Sequence, residues 1–198
     1  MTTMAWPEPI TLAGRHATLV PLDRSHAQAL CDAVRDGELW KLWYTSIPSP
    51  EGMAKEIDRR LGLHERGSMT PFTVLDADRA VVGMTTYMNV DAAHKHVEIG
   101  STWYARRVQR TALNTECKLM LLTHAFEELD CIAVEFRTHR FNQQSRRAIE
   151  RLGAQLDGIL RNQQRMADGT LRDTAVYSIT NDEWPTVRSH LRFQLSRS

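Results

Sequence analysis

The chain has 198 residues, and its 25 Lys and Arg against 24 Asp and Glu leave a formal net charge of +1. With 42% apolar residues it is long enough to bury one core, so a single domain over residues 1–198 is expected. Near-neutral charge without a basic stripe speaks against a nucleic-acid partner, which demands phosphate neutralisation.

Cys31, Cys117 and Cys131 are widely spaced and odd in number, and they suggest neither a disulfide framework nor a zinc site. The start MTTMAWPEPI lacks a basic region followed by an apolar run, and no apolar stretch approaches the roughly 18 residues that span a bilayer. A cytoplasmic protein without a membrane partner or a metal is the expectation.

In chain order, HATLVPL (His16 to Leu22) alternates like a strand, and Asp23 or Ser25 caps a helix running to about Val34. An aromatic, proline-punctuated loop with Trp40, Trp43 and Tyr44 follows. Pro50 suits a first helical residue, and Met53, Ile57, Leu61 and His64 make a helical stripe. The period then falls to two in PFTVLDA, VVGMTTYMNV and HVEIGSTWY, which predicts three consecutive antiparallel strands. Leu113 to Leu129 is apolar nearly all round, so a central helix is expected there. A strand at Ile132 to Thr138 and a helix at Asn142 to Leu152 come next. The chain finishes with a hairpin turning at Asp168-Gly169 and a helix from Glu183 to about Leu195. This order predicts an α/β (α+β) fold with helices on both faces of a mixed sheet.

The stretch WYARRVQRTALN places Arg106, Arg107 and Arg110 between a strand and the central helix. A helix start offers unpaired N–H groups and a positive dipole end to phosphate oxygens, and guanidinium groups add charge-assisted bonds. The alternative is a solvated rim of arginines. No GxxxxGK[ST] or GxGxxG motif is present, so P-loop and dinucleotide-binding folds lack their primary signature.

EIGSTWYARRVQRTALNTE, followed by Asn142, Ser145, Glu150, Arg151 and Gly153 and then by Asp168, Gly169, Asp173 and Tyr177, resembles the GNAT acyltransferase superfamily. The similarity is to its RimJ/RimL-like branch and covers roughly Leu12 to Trp184. It implies the GNAT acyltransferase fold, with a mixed, mostly antiparallel central sheet, and acetyl-CoA as acyl donor. It also implies acetyl transfer to a primary amine, of a small molecule or a peptide, by direct attack in a ternary complex. In the family a Q/R-x-x-G-x-G/A loop and the helix after it hold the pyrophosphate of coenzyme A. Here Gln109, Arg110, Thr111, Ala112, Leu113 and Asn114 occupy that segment, after Trp103 and Tyr104 and with Asn142 and Ser145 farther on.

Arg110 and Ala112 replace the two family glycines. Arg110 either grips phosphate itself or obstructs the loop. The family places a carboxylate base at Glu98, which can equally be a strand glutamate facing solvent or an arginine. Ser145 is the implied acid, although a first-turn serine is commonly a helix-capping residue. Trp40, Trp43 and Tyr44 form an acceptor wall or only pack their loop. His94, His96 and His139 are read as structural or solvated. The alternative function is a GNAT-fold coenzyme A sensor or interaction module without catalysis. Exposed strand edges suggest a homodimer.

Overall fold

The computed structural model describes residues 6–197. The strands are β1 (Leu12–Ala13), β2 (Ala17–Pro21), β3 (Met69–Asp76), β4 (Val81–Asp91), β5 (His96–Tyr104), β6 (Ala133–His139), β7 (Gln155–Arg165) and β8 (Leu171–Thr180). The helices are α1 (Ala27–Arg35), α2 (Met53–Glu65), α3 (Ala112–Thr123), α4 (Gln143–Glu150) and α5 (Trp184–Ser196). The strands form one sheet in the order β1-β2-β3-β4-β5-β6-β8-β7. Every neighbouring pair is antiparallel except β5 with β6. The run β3-β4-β5 is the antiparallel trio expected from the period-two stretches.

Alternation along β4 fixes which helix covers which face. Arg60 of α2 donates to Thr86 Oγ1, whereas Lys118 of α3 reaches Thr85 Oγ1 and the Tyr87 hydroxyl donates to Leu121 O. The two helices therefore lie on opposite faces. Met88 pairs with Glu98, Glu98 with Glu135, and Glu135 with Ser178, so these four share the α2 face. Tyr177, one residue before Ser178, points to the α3 face, where its hydroxyl accepts from Arg146 of α4. Phe126 stacks on Trp184 at 5.3 Å and brings α5 to the same side. Leu19, Leu30, Phe72, Leu121, Val134, Phe136 and Ile179 are among the buried apolar side chains between the layers.

Two expectations are corrected. Pro50 does not open α2: the Gly52 N–H turns back to Ser49 O and Oγ, so helical repetition begins at Met53. The long central helix is regular only to Thr123, after which His124–Glu128 widens into a π turn closed by Leu129 N–H donating to His124 O.

Two irregularities position the site. Between Met84–Trp103 and Thr86–Gly100 the β4–β5 register skips, so Ser101 and Thr102 together oppose Thr85; Ser101 takes φ 48°. Beyond this, β5 and β6 pair only over His96–Glu98 against Ala133–Glu135. Past that point the parallel strands part.

Candidate functional site

The parting of β5 and β6 opens a cleft of about 1400 Å³ that reaches both faces of the sheet. On the α3 face it is lined by Arg110, Thr111, Ala112, Asn114, Asn142 and Ser145, and on the α2 face by Glu98, Arg137, His139 and Arg172. Glu98 and Ser145, implied base and acid, thus meet one space from opposite sides.

At the α3 end, Thr111 caps the helix: its Oγ1 accepts from Leu113 N–H at 3.3 Å and donates to Val108 O at 2.8 Å. The Ala112 and Asn114 N–H groups fall in the first turn, where no intrahelical acceptor exists. Gln109 Nε2 donates to Tyr104 O at 2.9 Å and holds the loop closed against β5. Arg110 takes φ 60°, a left-handed conformation that a family glycine adopts without strain. Its side chain is exposed at the cleft and has no ion-pair partner among the described residues.

The other two loop arginines do not face the cleft. Arg107 donates to Asp76 Oδ2 at 2.8 Å, and the Arg106 N–H is fixed to Asp36 O. Of the three, only Arg110 is placed for an anion here. Leu113 is also corrected, because its side chain is buried in the core and its N–H is taken by Thr111.

Trp103 is buried and lines the cleft, and its indole N–H has no acceptor among the described residues. Such a buried donor is costly unless a ligand completes it. Tyr104 is buried against Cys117, and burial pushes both groups up, the thiol to about 12. Asn142 is the N-cap of α4, accepting from Ser145 N–H at 3.0 Å. Ser145 is half-buried and its hydroxyl makes no hydrogen bond to a described residue.

On the α2 face Glu98 is 4% exposed, with Oε2 accepting from Asn89 Nδ2 at 2.6 Å and lying 3.6 Å from Arg137 Nε. Burial raises its pKa, and the Asn89 hydrogen bond and the Arg137 charge only partly oppose that. The carboxyl is thereby shifted toward the range a general base needs near neutrality.

The aromatic loop divides. Tyr44 lines the cleft with Leu39 and Leu42. Trp40 instead packs on the core, and Trp43, 52% exposed, sits outside the lining and meets the His139 ring edge-on at 5.1 Å. His139, read from sequence as structural or solvated, is a buried cleft residue. Its Nδ1 accepts from Phe141 N–H, so Nε2 carries the proton, and no described group accepts it. Burial and the Arg172 charge hold its pKa below the ordinary value, keeping the ring neutral.

Three cleft residues escaped the sequence reading. Arg60, buried on α2, donates to Glu56, Thr86 and Ser101 O. Its signal was a basic residue three positions after Ile57 on the apolar stripe. Lys118 is buried on α3, donating to Thr102 Oγ1 at 3.0 Å, with its pKa pulled down to about 8 by burial. Arg172 lies on β8, two residues before the register partner of His139. Among the described residues no group of His, Cys, Asp and Glu is arranged to hold a metal ion.

Residues 16–155 match the model of the acetyltransferase (GNAT) domain. A Bacillus subtilis (strain 168) protein named "Putative ribosomal N-acetyltransferase YdaF" is 31% identical over 107 residues, which are 54% of this chain and 57% of that one. The chain thus spans little more than half the length of that curated relative. A GCN5-related N-acetyltransferase from Brucella melitensis superposes with TM-score 0.85 at 28% identity, covering 96% of this chain and 86% of the other. Mycobacterium smegmatis RimJ, solved in complex with CoA-disulfide, shares the fold at TM-score 0.80 and 21% identity, with 96% of each chain covered. With the split sheet and the capped α3 start in place, the family match leaves one assignment: the chain belongs to the GNAT acetyltransferase family.

Proposed function

We propose that the protein is a single-domain, acetyl-CoA-dependent N-acetyltransferase that moves an acetyl group to a primary amine by direct attack in a ternary complex. One observation carries this reading: a single cleft joins the positive start of α3 on one face to the buried Glu98 carboxylate on the other. When bound, acetyl-CoA supplies the activated acetyl group. The residues present fit it, since the first-turn N–H groups of α3 and the unpaired Arg110 suit a pyrophosphate. Trp103 lines the same cleft, and its indole N–H has no acceptor among the described residues.

Glu98 takes the proton that the attacking amine must lose, directly or through a water. Ser145 holds a free hydroxyl at the start of α4 as proton source for the departing thiolate. The name of the Bacillus subtilis relative, a ribosomal N-acetyltransferase, favours a protein or peptide amine as one acceptor class beside small amines. The free cysteines agree with a reducing cytoplasm, and among the described residues no helix is long and apolar enough to cross a membrane. A homodimer through the hairpin of β7 and β8 belongs to the same proposal. The outermost strand β7 leaves Leu156, Ile159 and Leu160 exposed, and light scattering on the eluted protein tests it.

The test of activity is calorimetric titration with acetyl-CoA, followed by thiol release over a panel of primary amines. Micromolar binding with turnover supports the proposal. Binding without turnover on any amine overturns catalysis and leaves a sensor, and absence of binding overturns both.

A further inference from the structure

The α2 face of the cleft carries more charge than base chemistry requires. Glu98, Glu135, Arg137, His139 and Arg172 share that face through the pairings of Glu98 with Glu135 and of His139 with Thr174, two residues from Arg172. Most of the cations there are already neutralised. Arg137 lies 2.8 Å from Glu135 and 3.6 Å from Glu98, and Arg60 is held by Glu56 at 2.7 Å.

Arg172 differs. Its Nε donates to Thr174 Oγ1 at 2.9 Å, and no carboxylate among the described residues lies within ion-pair distance of it. The side chain is half-buried and lines the cleft, where desolvation disfavours its charge and the more distant Glu98 supports it. Partial desolvation weakens the hydration of the guanidinium, and in the cleft an anion can take the place of water on its remaining donors. On the same face, close enough for the Arg172 charge to act on the ring, stands the protonated Nε2 of His139, buried under Trp43 and without an acceptor among the described residues. A guanidinium without a carboxylate partner and an imidazole N–H without an acceptor thus stand on the face that holds a carboxylate suited to an amine.

We propose that Arg172, with His139 beside it, anchors an oxygen acceptor on the amine substrate, so that the acceptor class is a primary amine bearing a carboxylate or carbonyl near its nitrogen. The inference rests on the acetyltransferase reading of the same cleft and deepens it. Arg172 binds the oxygen and Glu98 faces the amine, so the acceptor is oriented by its two ends. A free amino acid and the first residue of a peptide present this oxygen in different forms, charged in one and neutral in the other.

The test compares alanine, alaninamide and sec-butylamine as acceptors for wild type, Arg172→Gln and Arg172→Lys. The three amines share a similar branched carbon frame and differ in the oxygen. Comparing ratios between variants cancels differences in amine basicity. Arg172→Gln is expected to lower kcat/KM for the oxygen-bearing amine by roughly 10- to 100-fold, mostly through KM, while sec-butylamine changes by less than about threefold. Arg172→Lys should restore part of the loss on alanine. Preference for alanine identifies a carboxylate, and preference for alaninamide a carbonyl. An equal loss on all three amines, or wild type showing no preference for either oxygen-bearing amine, overturns the proposal.

If wild type turns over no amine, the activity proposal fails separately, and a binding measurement decides this one. N-acetylalanine and N-acetylalaninamide are titrated calorimetrically into the protein with and without coenzyme A. Binding of either that is lost in Arg172→Gln sustains the oxygen site, whereas binding of neither, or undiminished binding to the variant, sinks it.

Discussion

The Glu98 carboxylate lies directly over Gly100: a methyl group at position 100 would stand 2.8 Å from Glu98 Oε1 and 2.7 Å from Met88 Sδ. Gly100 pairs with Thr86, where the β4–β5 register skips. The glycine therefore leaves the space that the buried carboxylate occupies. Gly100→Ala should displace Glu98 or Met88, cost about 1 to 3 kcal/mol of stability, and lower kcat/KM by about tenfold or more. Denaturant unfolding and thiol-release kinetics check it, and an unchanged kcat/KM would detach Glu98 from the chemistry.

The base role proposed for Glu98 carries a pH dependence. Its folded pKa stands above the ordinary 4.5 because burial outweighs Asn89 and Arg137. The base form is the charged one, so kcat/KM should rise with pH along a limb lying above 4.5, and Glu98→Gln should abolish that limb with about a 100-fold loss. Stability has the opposite sign. A carboxyl raised on folding stabilises the protein at low pH and loses that contribution as pH rises through the raised value. Glu98→Gln should therefore gain stability relative to wild type at neutral pH and match it below 4.5, as urea melts at several pH values will show.

Arg110 separates strain from binding. At φ 60° a non-glycine residue carries about 1 kcal/mol of backbone strain. Arg110→Gly should raise the melting temperature of the free protein while weakening acetyl-CoA binding by roughly 3- to 30-fold, through loss of the proposed phosphate contact. Calorimetry showing tighter binding would mean the side chain only obstructs.

Lys118 gives a second pH signature. Burial lowers its pKa from 10.5 to about 8. Its stabilising contribution is present above 10.5 and is lost as pH falls toward 8, so below 8 the fold carries a buried ammonium. Lys118→Met should raise stability at pH 7 by about 1 to 3 kcal/mol, with the gain shrinking between pH 8 and 10.5. The Thr85 and Thr102 hydroxyls keep their mutual 2.8 Å bond in the variant. A variant less stable than wild type at pH 7 would show that the ammonium is better solvated than its burial suggests.

Asn142→Ala removes the α4 cap and should cost about 1 kcal/mol, whereas Asn142→Asp should retain the cap. Any loss of turnover in the aspartate variant then reports on the cleft rather than on the helix, which Tm and kcat measured together will resolve.

Strand and helix order was legible because period two and period 3.6 persist over whole elements, and the α3 start because Thr111 is a good cap. The π turn at His124 was not, since an apolar run has the same composition whichever turn it adopts. Glu98, Arg110 and Asn142 were reachable through spaced motifs, each local in sequence. Arg60, Lys118, His139 and Arg172 were not, because their roles depend on which face a register assigns them. In His139 the decisive fact is one bond from the Phe141 N–H. Trp43 shows the converse, an aromatic side chain in the expected loop that turns outward over His139.

The three-residue pairing of β5 with β6 has one more consequence. Past Glu98 the facing edges of two central strands keep peptide groups without a strand neighbour, yet helices flank them on both sides. The sheet thus holds an edge in its middle, open onto the cleft. A gap in the ladder, and not only a hollow between side chains, is what opens the cleft.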